Sequence, residues 1–278
     1  MNRIRFWTTL FAATLFCIAP AAAQIEAGRA AALDYLGRGT AAFRAGDIIA
    51  ATRHWSEAIR LCRLNGARDL EAQALARRGE AYRVEGYFRD AGSDLQAALA
   101  KAEQSKDEVL IAATSGALGN LAFMSRRTAV AEPLLKRSRD LAGRLRDPAV
   151  LAASNNDLGN LYASTGRASE AASAYAEAIA NAEAAHDDAL VATARTNAAR
   201  LALQHKEPVR ATALLTRAVD TLERLPYSYN LGMALVSAGS AVFEDEGRIP
   251  PDAQAVASRA FHAAAESAEA LLDRKSVV

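Results

Sequence analysis

Side chains able to do chemistry are sparse here, and their spacing fits few catalytic devices. The cysteines, Cys17 and Cys62, are too few for a disulfide framework or a cysteine-built zinc site. The histidines His54, His186, His205 and His262 fall in different parts of the chain, no His-Glu-x-x-His occurs, and each reads as a solvated or capping residue. Neither a Gly-x-Ser-x-Gly elbow nor a phosphate-cradling glycine loop is present, so no enzymatic activity, cofactor or metal is expected. Lys and Arg number 33 against 32 Asp and Glu, a formal charge of +1, which argues against a nucleic-acid binder held by phosphate contacts.

What remains is a group of amides and charged forks at recurring positions. Asn120 and Asn160 share one column, and Arg77, Asp157 and Asn197 share another; Glu80, Arg83, Asn156, Arg200 and Gln204 lie beside them. An Asn side chain offers both a donor and an acceptor, so it can pair with both polar groups of an extended peptide backbone without reading side chains. Arg adds a fork suited to a carboxylate, although Glu80 and Asp157 weaken such a clamp.

These columns come from an internal repeat. Gly39, Gly79, Gly119, Gly159, Ala199 and Gly239 recur every 40 residues. Ala51, Ala91, Ala131, Ala171 and Ala211 keep the same step, as do Trp55, Leu95, Leu135, Tyr175 and Leu215. Each unit carries two apolar stripes of helical period around a short polar break; in the fourth, Ala152, Leu158, Leu161 and Tyr162 precede Ser164-Thr165-Gly166-Arg167, and Ala171, Ala174, Tyr175, Ala178 and Ile179 follow. Gly46, Gly86 and Gly166 at the break supply the positive φ that ends a helix. Asp69, Asp107, Asp147 and Asp187 suit the N-cap of each next unit, and Pro148 suits a first helical position. No segment alternates with period two, so an all-α fold is expected. Gly and Ala at the helix crossings admit close backbone approach, with Tyr162 and Tyr175 filling the space beside Gly159 and Ala171.

The strings Leu158-Gly159-Asn160-Leu161-Tyr162 and Glu170-Ala171-Ala172-Ser173-Ala174-Tyr175-Ala176-Glu177-Ala178-Ile179 resemble the tetratricopeptide repeat over about residues 30 to 272. The 40-residue period and the string Ala131-Glu132-Pro133-Leu134-Leu135 are similar to its kinesin-light-chain-like variant. The resemblance implies a right-handed α-solenoid of about six helix-turn-helix units, whose concave side is lined by the first helix of each pair and clamps peptides through Asn and basic residues. The sixth unit departs from the pattern: Pro250-Pro251 stands at the start of its second helix, which then runs from about Asp252 to Leu272. Val256, Ala260, Phe261, Ala264, Ala268, Leu271 and Leu272 leave that helix an apolar stripe that a second copy could cover, giving a homodimer.

The first 23 residues read as a signal peptide: Arg3 and Arg5, an apolar run from Phe6 to Ile18, and Ala21-Ala22-Ala23 before Gln24. Bulky Phe16 before Cys17 disfavours lipidation. The apolar run is shorter than the roughly 20 residues a spanning helix needs. Residues 24–278 then form a single repeat domain, exported to a periplasm or secreted, with Cys62 a lone thiol packed as a small core residue. The expected function is a non-enzymatic envelope adaptor or scaffold holding a protein or peptide in its concave face. Open beside it stand a sensor or assembly module working with a separate envelope enzyme, such as a peptidase, and a self-assembling structural protein.

Overall fold

The computed structural model describes residues 4–227, 229–243 and 251–276, with side chains from residue 23 onward apart from 228–230 and those after 271. Of the signal-peptide reading, residues 1–3 and the side chains before 23 lie outside the described residues. Twelve α-helices follow one another, and no strand occurs among the described residues. They form six pairs: α1 (Ile4–Arg44) with α2 (Ile48–Asn65), α3 (Arg68–Val84) with α4 (Phe88–Ser105), α5 (Glu108–Met124) with α6 (Thr128–Leu145), α7 (Pro148–Ser164) with α8 (Ala168–Ala184), α9 (Asp188–Gln204) with α10 (Pro208–Leu222), and α11 (Tyr229–Ser240) with α12 (Pro251–Ser276). A 3₁₀ turn, Ala241–Phe243, closes α11.

The glycine column sets the spacing within each pair. A Cβ built on Gly159 would lie 2.5 Å from a ring carbon of Tyr175, and one on Gly119 would lie 2.7 Å from Leu135 Cγ. On Gly79 it would meet both Leu95 and the Ala91 carbonyl, so the two backbones themselves approach there. The large residue 16 positions after the glycine therefore seats on bare backbone, and Ala51, Ala91, Ala131, Ala171 and Ala211 beside it are fully buried. In the sixth pair Phe261 takes that place over Gly239.

One turn geometry closes the helices at half the sequence period. Gly46, Gly66, Gly86, Lys106, Arg126, Arg146, Gly166, His186 and Lys206 all have positive φ, 20 residues apart. The following residue donates its N–H to the carbonyl five residues back, as in Asp47 to Ala42, Asp107 to Ala102 and Arg167 to Tyr162. These are Schellman closures, which satisfy the last carbonyls of a helix. Asp107, Asp147 and Asp187 cap α5, α7 and α9 through their side chains, as expected. Asp69 does not: α3 starts after Ala67, which offers no side-chain oxygen, and Asp69 in its first turn instead pairs with Arg29 (2.9 Å), which holds its carboxyl below the usual range. Asp47 performs the same capping on α2, a second helix.

Neighbouring first helices approach one another along the whole array (α1–α3, α3–α5, α5–α7, α7–α9, α9–α11), whereas the second helices keep their backbones farther apart, with Arg137 of α6 reaching across to Glu103 of α4 (2.6 Å), until α12 packs on α10. Closer spacing in one layer than in the other bends the stack toward the closer layer, so the first helices line its inner side. The last helix begins at Pro251 and uses its apolar stripe within the chain: Val256, Ala260 and Ala264 are buried with Leu215, Val219 and Leu235. Arg259 ties it to Asp220 of α10 and to Glu223, which caps the end of that helix. Of the same stripe, Phe261 and Ala268 stay exposed, while the Leu272 side chain lies outside the described residues. None of the helices among the described residues is long and apolar enough to cross a membrane.

Candidate protein-binding trough

The ten residues singled out from the sequence all sit on first helices: Arg77, Glu80 and Arg83 on α3, Asn120 on α5, Asn156, Asp157 and Asn160 on α7, and Asn197, Arg200 and Gln204 on α9. Nine of them enter a chain of polar contacts that crosses every junction between units. Arg77 donates to Thr40 Oγ1 (3.1 Å) between the first and second units. Arg83 reaches Met124 Sδ (3.3 Å) between the second and third. Asn120 Nδ2 donates to Asp157 Oδ1 (2.7 Å) between the third and fourth, and Asn197 Nδ2 to Asn156 Oδ1 (2.9 Å) between the fourth and fifth. Arg200 completes the series with the Ser237 carbonyl (3.0 Å) and hydroxyl (3.2 Å).

Contacts within units brace the strip. Arg83 Nε donates to Glu80 (2.9 Å), Arg200 Nη1 to Asn197 Oδ1 (3.1 Å), and the Tyr175 hydroxyl to Asn160 Oδ1 (2.9 Å). Burial raises the Tyr175 hydroxyl above its usual range. Gln204 stands exposed at the end of α9. The contacts also draw in four residues that the sequence reading did not single out: Thr40, Met124, Tyr175 and Ser237. Thr40 lies in the column of Asn120 and Ser237 in that of Asp157, and each stands 37 residues from its arginine, Arg77 or Arg200, as Asn120 does from Asp157, so the spacing held the signal. Met124 and Tyr175 gave none, because each reads as an ordinary apolar position.

At the centre of the strip lies Asp157, half-buried. Burial pushes its carboxyl up to about 7, against the stabilising pull of the Asn120 amide, the nearby Arg83 charge and the Asn156 amide; Glu80 pushes the same way as burial. Asn120 Oδ1, on the amide that serves Asp157, is buried without a hydrogen-bond partner. Among the described residues no group of three or more His, Cys, Asp and Glu could hold a metal ion. His54 packs on the Tyr35 ring, and His262 stands largely exposed beside Glu266 (3.3 Å).

No family model and no curated protein matches this chain. Solved structures do. BtubC (BKLC) from P. vanneervenii superposes with a TM-score of 0.53 at 20% identity, over 73% of this chain and 89% of that one. The fold is that of the tetratricopeptide-repeat solenoid. Two further tetratricopeptide arrays also align, with poorer superposition. The TPR2AB domain of yeast Sti1, solved as a complex with pHSP90, gives 0.34 at 16% identity, over 84% of this chain and 98% of that one. The TPR domain of P58(IPK) gives 0.29 at 16% identity, over 88% and 67%. At these identities the likeness concerns the solenoid fold alone.

Proposed function

We propose that this solenoid is a non-enzymatic adaptor of the cell envelope, exported through residues 1–23 and holding a protein or peptide partner in the trough of its first helices. The observation that carries this reading is the continuous polar strip from Thr40 to Ser237, which gathers side chains from six helices onto one face. A strip of this kind offers amide donors and acceptors at intervals along an extended ligand, and its contacts between units hold them in place before binding, which lowers the ordering cost of association. A self-assembling protein built on α12 is less favoured, since much of that helix's apolar stripe is buried against α10 and α11.

The test is site-specific photocrosslinking in intact bacterial cells, with the probe at Asn160 or Gln204 inside the trough and at Arg137 or Ser173 on the second helices. Adducts with one partner from the trough positions alone support the reading. Equal labelling from both layers, or from the second helices alone, overturns it. Sequencing the N-terminus of the mature protein checks export: a start at Gln24 supports it and a start at Met1 refutes it.

A further inference from the structure

The proposed trough contains an asymmetry between its positive and negative groups. Every arginine in it is held by another group of the chain: Arg77 by Thr40, Arg83 by Glu80 through Nε and Nη2, Arg200 by Asn197 and Ser237. The central carboxylate is not matched in this way. Asp157 takes its hydrogen bond from a neutral amide, Asn120 at 2.7 Å, with the Asn156 amide nearby, and among the described residues no cation stands within the 4.0 Å of an ion pair. Arg83, the nearest positive influence, has its bonds directed to Glu80 and to Met124.

A second observation points the same way. Asn120 donates through Nδ2 to Asp157 and leaves Oδ1 with no donor. A buried acceptor without a partner costs about 1–3 kcal/mol and calls for a hydrogen-bond donor. Because Nδ2 and Oδ1 belong to one planar amide, that acceptor lies beside the carboxylate, and one donor-rich cation could serve both. One carboxylate and one amide oxygen make a poor cage for Ca²⁺, which takes six to eight oxygens, and among the described residues no group of three or more His, Cys, Asp and Glu stands there for Mg²⁺. An ammonium or guanidinium brings its own several N–H donors and a charge that the amides cannot supply.

We infer that Asp157 and Asn120 form the floor of a subsite for a basic side chain, Lys or Arg, of the protein held in the trough. This deepens the adaptor reading and rests on it. The groups facing Asp157 are Glu80 and Arg83 from α3, Asn120 from α5, Asn156 from its own helix and Tyr175 from α8, with Arg200 of α9 beyond Tyr175. Burial brings the Asp157 carboxyl up to about 7, so the subsite gains its charge between pH 6 and pH 8.

The probes are an uncharged-terminus decapeptide of Lys and its Glu counterpart, titrated into the full-length protein with the Asn120 side-chain amide followed by NMR. The Lys peptide is expected to shift that resonance and to bind about tenfold tighter at pH 8 than at pH 6, following ionisation of one carboxyl. Asp157→Asn, which keeps the size and the bond from Asn120 and should melt no lower than the parent, is expected to abolish the pH dependence and weaken binding about tenfold at pH 8. Asp140→Asn, an exposed carboxylate on α6, is expected to leave both unchanged. Unaltered Lys-peptide binding in Asp157→Asn, or preferential binding of the Glu peptide, overturns the subsite. In cells the two readings separate: trough crosslinks that persist at full yield in Asp157→Asn defeat the subsite and leave the adaptor standing, whereas absence of trough crosslinks in the parent defeats the adaptor itself.

Discussion

Gly159→Ala isolates the contact on which the repeat depends. The added methyl would stand 2.5 and 2.6 Å from two carbons of the Tyr175 ring, where ordinary contact is 3.4–4 Å, so the ring must retreat by about 1 Å. It has little room to do so, being 3% exposed and tied to Asn160 Oδ1 at 2.9 Å. Overpacking costs about 1–3 kcal/mol and loss of the hydroxyl bond about 1 more, so the variant is expected to lose about 2–4 kcal/mol. The fifth unit suggests the remedy, because it carries Ala199 in the glycine column and Leu215 in the large column, both fully buried. Adding Tyr175→Leu should therefore recover much of the loss, with a coupling energy of about 1–2 kcal/mol. Urea melts followed by far-ultraviolet circular dichroism on the parent, both single variants and the double variant give all four corners of the cycle. A single variant within 0.5 kcal/mol of the parent, or strictly additive losses, would refute the close-approach reasoning.

Other expectations are shorter to state. Replacing Arg126 or Arg146 by Gly relieves a left-handed residue at φ 57° or 55° and should raise stability by about 0.5–1 kcal/mol each in the same melts. Arg78→Ala strands Asp94, which Arg78 meets at 2.6 and 2.9 Å in a largely buried pair, and should cost about 2–4 kcal/mol, with Arg78→Met plus Asp94→Leu recovering most of it. The Asp157 carboxyl lies near 7 in the folded chain and at an ordinary 3.8 unfolded, so its burial destabilises the fold increasingly from about pH 4 to 7 and by a constant amount above; Asp157→Asn should be the more stable protein at pH 8, by at most about 4 kcal/mol, and no different near pH 4. The Cys62 thiol, 1% exposed and pushed up to about 11 mainly by burial, should resist thiol reagents at pH 8 until urea unfolds the chain.

The solenoid was legible because its cause is periodic: a missing side chain every 40 residues admits a large one 16 positions later, and both members are visible as letters. The turns were legible only in part. Gly46, Gly86 and Gly166 announce positive φ, but Lys106, Arg126, Arg146, His186 and Lys206 adopt the same conformation with no compositional mark, so the 20-residue half-period stayed hidden. Asp69 resembled its neighbours in the cap series by residue type, yet it stands two residues past the N-cap position, which Ala67 fills, and cap geometry does not tolerate that shift. Within the trough the placement of the residues on first helices was readable and their state was not: side chains viewed as waiting for a peptide bond to one another across units, through offsets of 37 and 41 that only the curvature of the stack determines.

Those offsets have a mechanical consequence. Straightening the coil would lengthen the distances between first helices while barely disturbing the contacts inside each pair, so the polar strip acts as a row of latches along the inner edge of a spring. Under a pulling force the latches should open one junction at a time before any hairpin unravels, giving the array a soft, reversible stretch.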